Sequence, residues 1–141
     1  MNAKAAFAAV LIAQTFGCAT SGKDCTPPEP PSDKSGDLII YRPSQSMARL
    51  YDAPISIDDC TIGWLADGTV IRRRVMAGAV KIRAEKRALA LGGDAEIRAG
   101  ISIGETAYLR FKFLTPTAPQ FMLVDRSTAE KEMPSLQDAS R

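Results

Sequence analysis

Basic side chains crowd one short stretch of this chain. In "TVIRRRV" and "AVKIRAE", residues 69–75 and 79–85, Arg72, Arg73 and Arg74 are followed by Lys81 and Arg83. Val80, Ile82 and Ala84 alternate with Lys81, Arg83 and Glu85, so a strand here has one apolar and one largely basic face. With a turn at Ala77-Gly78 the two runs are expected to pair as a hairpin. Arg72, Arg74, Lys81 and Arg83 would then form an anion-binding ridge for phosphate or carboxylate groups. The plain alternative is a solvated face whose charges deter strand-to-strand aggregation. Asp58-Asp59 is the other group with chemical potential. Adjacent strand residues point to opposite faces, so these carboxylates converge only through a turn, and forming that turn is their expected role.

The sequence contains no histidine, which removes the usual general base near neutral pH and the commonest metal ligand. No phosphate loop, metal-spaced cluster or nucleophile motif is present in it. The expectation is therefore a protein with no catalytic residues, no metal and no cofactor. Removing Lys4 with a leader leaves 17 of the 18 basic residues against 16 acidic ones. Such a balance argues against a nucleic-acid partner.

Residues 5–13, "AAFAAVLIA", follow the single charge of Lys4 and have the length of a signal-peptide apolar region, too short to span a bilayer. The run breaks at Gly17-Cys18. That break resembles the lipobox of bacterial lipoproteins, in which a diacylglyceryl group is added to the cysteine thiol and the leader is cut just before it. Thr15 and Phe16 stand where that pattern has Leu and a small residue. The rival is ordinary cleavage after Ala19, giving a soluble periplasmic or secreted protein. Lipid attachment at Cys18 is the expectation, and the lack of Asp after it implies, by the same resemblance, the periplasmic face of the outer membrane. Cys25 and Cys60 are then left in a compartment that permits a disulfide between them.

Residues 1–17 read as signal peptide and 18–36 as a Pro-rich tether. "TPPEPPSDKSG", residues 26–36, lacks any large apolar side chain and favours extended conformations. Residues 37–126 read as an all-β domain of seven or eight strands, a small Ig-like β-sandwich. The runs are 38–42, 54–58, 61–65, 69–75, 79–85, 95–103, 106–114 and 120–124, with turn residues between them. Ile62 and Trp64 are two apart and are expected to share a core face. Residues 127–141 read as a short helix and tail, with Ser127 to Glu130 as a capping box and Pro134 as the stop.

"IIYRP", "ISIDDCTIGWLADG", "VMAGAVKI" and "GETAYLRF" together resemble a bacterial lipoprotein family known as domain of unknown function 2846. The resemblance covers residues 38 to 124 and implies a β-sandwich, without an established activity. Asp59, Ala77, Val80 and Ala107 depart from it, Val80 standing where the family has His. The functional expectation is a non-catalytic binding or structural module at the membrane surface. Its expected partners are the membrane through the lipid anchor, anionic lipid, lipopolysaccharide or cell-wall polymer, and proteins that the sequence does not identify. One alternative is a glycan- or wall-binding module stacking sugar on Trp64, Tyr41, Tyr51 or Tyr108. A less favoured one is a carboxylate-based hydrolase that would bring Asp58 or Asp67 close to Glu105.

Overall fold

The alternating runs assemble as two stacked sheets. The computed structural model describes residues 23–25, 27–45, 49–85, 94–115 and 118–140. Its strands are β1 (Lys23–Asp24), β2 (Ser35–Arg42), β3 (Ala53–Ile57), β4 (Cys60–Leu65), β5 (Thr69–Met76), β6 (Gly78–Ala84), β7 (Ala95–Ile101), β8 (Thr106–Thr115), β9 (Ala118–Val124) and β10 (Gln137–Asp138). One sheet has the order β1-β4-β3-β6-β7 and the other β10-β5-β2-β8-β9. The eight longer strands correspond to the eight runs expected from sequence. The fold is an all-β sandwich with one short helix, α1 (Arg126–Glu132).

Leu38, Ile40, Ile71, Leu109 and Phe111 of one sheet pack with Ile55, Leu65, Val80, Ile82 and Ile101 of the other to form the core. Phe111 anchors one end, its ring 5.1 Å from that of Phe121 and 5.3 Å from that of Phe113. A smaller cluster of Tyr41, Val70, Tyr108 and Ala129 lies on the outer face of the second sheet, where α1 covers it. A seven-residue helix is too short to persist alone, so this packing holds it.

Arg42 is the largest fully buried side chain. It points inward beside Leu38 and Ile40 and donates to the backbone carbonyls of Tyr51 and Leu65. Its guanidinium lies 5.1 Å from the Phe113 ring centre and 3.7 Å from Asp67. Burial pushes its pKa down from the ordinary arginine value, and the Asp67 carboxylate opposes that shift. Arg42 thus ties two connecting segments to the core.

The structure differs from the sequence expectations at both ends of the domain. The ordered fold starts before residue 37: β2 begins at Ser35, and β1 pairs with β4 inside the expected tether. The C-terminal tail returns to the sandwich, where β10 pairs with β5. The helix cap is Asp125, not Ser127. Its Oδ1 accepts the Thr128 N–H at 2.9 Å and the Ser127 hydroxyl at 2.6 Å, so Ser127 donates to the cap instead of being it. These donors, the Ser127 hydroxyl first, hold the Asp125 carboxyl well below the usual carboxylate range. The signal segment, Cys18 and Ala19 lie outside the described residues.

Candidate ligand groove at the open side of the sandwich

β5 and β6 were expected to form a hairpin, but β5 belongs to one sheet and β6 to the other. The chain crosses between layers at Ala77-Gly78, with Gly78 at φ 130° and the Ala77 N–H donated back to Lys34 at 2.9 Å. Because Ile71 and Val75 face the core from β5, Arg72 and Arg74 project outward from the second sheet. Val80, Ile82 and Ala84 face the core from β6, so Lys81 and Arg83 project outward from the first. The four cations therefore lie on opposite outer faces, with the core between them. They form no single ridge.

Each of the four also has a carboxylate partner. Arg72 is 3.6 Å from Asp138; Arg74 is 3.3 Å from Glu29 and 3.7 Å from Asp37. Lys81 donates to Asp59 at 2.7 Å, and Arg83 pairs with Asp94. The Lys81 hydrogen bond holds the Asp59 carboxyl below its ordinary pKa, and the Asp94 hydrogen bond raises that of Arg83. These pairs are exposed to different degrees and screened by solvent.

The Asp58-Asp59 turn is a two-residue hairpin between β3 and β4, with positive φ at both residues, 46° and 68°. This is the geometry that aspartate tolerates and that matches the twist of paired strands. Asp58 Oδ1 accepts the Lys81 N–H at 3.0 Å. Asp67 accepts from Ser44 at 2.8 Å and from the Gln45 N–H at 2.9 Å. Asp67 sits by Arg42 at one end of β2, whereas the Glu105 carbonyl accepts from Asp37 near the other. Five strand residues separate those ends by about 17 Å, so Asp67 and Glu105 do not form a carboxylate pair. Among the described residues no group of three or more His, Cys, Asp or Glu side chains is placed to hold a metal.

What the fold does create is a groove of about 1020 Å³ along the open side of the sandwich, between β4 and β5. β1 covers β4 only at Cys60 and Thr61, and β10 covers β5 only at Thr69 and Val70. Ala139 and Ser140 carry the tail on past Gly63 to the Arg72 N–H, and beyond them both edges face the gap. Arg72, Arg73 and Arg74 line one wall and Trp64 the other, with Pro27, Pro28 and Glu29 of the N-terminal strap alongside. Arg73 points inward with Ile71 and Val75 and donates across the gap to the Ile62 carbonyl at 3.0 Å. The strap is fastened by a Cys25–Cys60 disulfide with the Cα atoms 5.6 Å apart, a spacing ordinary for such bridges.

Trp64 was expected to be core, on the same face as Ile62. Ile62 is buried, but Trp64 is 46% exposed. The cause is a bulge: Ile55 pairs with Gly63 and Ser56 with Thr61, leaving Ile62 as an extra residue that shifts the alternation. Gly63, at φ 158°, faces Ile71 across the core, and Trp64 turns outward beside Pro54. Tyr41 and Tyr108, stacking faces with it in the glycan-binding alternative, are buried, while Tyr51 is 46% exposed. A one-residue bulge leaves no composition signal, which is why the groove's aromatic wall is not legible in the sequence. No protein-family model, curated protein or solved structure matches the chain.

Proposed function

We propose that this chain is an exported envelope lipoprotein, acylated at Cys18, whose folded part is a non-catalytic binding module that holds an anionic ligand in the open-side groove. The observation that carries the reading is the groove itself, walled by three consecutive arginines and the half-exposed Trp64. Its volume is that of a ligand site, and mixed aromatic and cationic lining suits an anionic polymer or peptide better than a metal ion. The signal-like leader and Gly17-Cys18 support export and anchoring. With the lipid at Cys18 and β1 paired from Lys23, four residues separate membrane from domain, a reach of at most about 18 Å. A second reading, a glycan ligand, rests on the exposure of the Trp64 ring, on which a sugar face can stack.

Sedimentation with isolated envelopes tests the reading. A domain beginning at Ala19, and so lacking the lipid, should co-sediment at low salt and release as salt rises. The double variant Trp64→Ala/Arg74→Gln should lose most of that retention. Equal retention of variant and parent would contradict a ligand site in the groove.

A further inference from the structure

We propose that the groove's ligand is an extended acidic peptide that adds to the edge of β5 as a further strand, an inference that rests on the groove being the ligand site. Along a strand the N–H and C=O of one residue point to the same side, and successive residues alternate. The Val70 carbonyl accepts from Ala139 at 2.7 Å, and the Arg72 N–H donates to the Ser140 hydroxyl at 2.7 Å, so the even-numbered residues of β5 face the open edge. The tail ends its pairing there. Beyond it, the Arg72 carbonyl, both backbone groups of Arg74 and the Met76 N–H point toward the groove without a backbone partner among the described residues. Residues 72–76 offer about 13 Å of edge, enough for one short strand.

The charges select what can pair. Arg72 and Arg74 flank the edge on its outer side and Arg73 on its inner side. Two copies of β5 edge to edge would bring six arginines together, which like-charge repulsion opposes. An acidic strand meets the opposite situation, and the chain already contains the pattern. β10 adds to the same edge with the Asp138 carboxylate 3.6 Å from Arg72, and Glu29 of the strap lies 3.3 Å from Arg74. A peptide with carboxylates at alternate positions continues that arrangement along 72–76.

The test uses the disulfide-intact domain and a fluorescein-labelled Glu-Val-Glu-Val-Glu peptide, read by anisotropy and by amide hydrogen exchange. Salt-sensitive binding with new protection at the Arg74 and Met76 amides is the expected result. Methylating alternate peptide nitrogens should weaken binding about tenfold in one of the two phases and little in the other, because only one set of amides faces β5. Arg74→Pro should also abolish binding, since its N–H faces the open edge and not β2. If lipopolysaccharide or wall glycan perturbs Trp64 while the peptide neither binds nor protects those amides, the groove stands as a ligand site and strand addition is overturned. If no anionic ligand perturbs Trp64, both readings fail. Concentration-dependent protection without peptide would identify a second copy as the occupant and likewise overturn the proposal.

Discussion

The Tyr41 hydroxyl donates to Glu132 Oε2 at 2.6 Å, joining the first long strand to the helix 91 residues later. Arg110 Nη1 donates to the other oxygen of the same carboxylate at 2.6 Å. A short helix with one fully buried residue, Ala129, is thereby held over the outer face of β2 and β8. Burial first, then the bond to Glu132, pushes the Tyr41 phenol far above its ordinary value.

That shift has a defined consequence for stability. The folded state keeps the Tyr41 proton at a pH where the unfolded chain releases it. Stability from this group is therefore complete below about pH 10, the ordinary phenol value, and falls as pH rises toward the folded value. Tyr41→Phe should lower stability at neutral pH by about 1.5 kcal/mol, for one hydrogen bond to a charged group, and flatten the alkaline decline. Urea unfolding from pH 7 to 11 measures both; an unchanged alkaline slope would contradict the assignment.

Two glycines should respond oppositely to alanine. A Cβ on Gly36 would collide with the Ser102 carbonyl and come within 2.7 Å of an Ile101 methyl and 2.8 Å of the Glu105 carbonyl. Gly36→Ala should cost about 1–3 kcal/mol or more, since two of these atoms are backbone. Gly100→Ala meets nothing within 4 Å and should be neutral or slightly stabilising. Thermal melts of both variants decide the matter.

The strap prediction concerns Cys25 and Cys60. A domain beginning at Ala19 should take up no iodoacetamide before reduction and two equivalents after it, by intact mass. Cys60→Ser should lower stability by about 2–4 kcal/mol, as expected for a loop of this size. Two labelled thiols without reductant would show that the strap is not fastened.

Anchoring is tested separately. Cys18→Ser in the full chain should move the protein from the detergent phase to the aqueous phase, because the acyl chains provide the anchor. Partition that does not change would contradict acylation at Cys18.

The eight long strands are legible because apolar alternation and turn residues are local signals. "LIIYR" and "TAYLRFKFL" become β2 and β8 with boundaries shifted by a few residues at most. What the pattern does not carry is the choice of partner. Ala77-Gly78 marks a change of direction between β5 and β6, but the same turn chemistry serves a hairpin or a crossing between sheets. That ambiguity separates Arg72 and Arg74 from Lys81 and Arg83. The Asp58-Asp59 turn is legible because its positive φ values are a local property of aspartate. The groove is not, since it needs the Ile62 bulge, the strap and the short β10 at once.

The most direct test of the groove as ligand site compares two charge reversals under one readout. Trp64 is the only tryptophan, so its emission reports on the groove. Titration with anionic envelope polymer or acidic peptide at low salt should shift that emission. Arg72→Glu/Arg74→Glu should abolish the response, while Lys81→Glu/Arg83→Glu, which do not line the groove, should leave it unchanged. A response lost with the second pair and kept with the first would contradict the account.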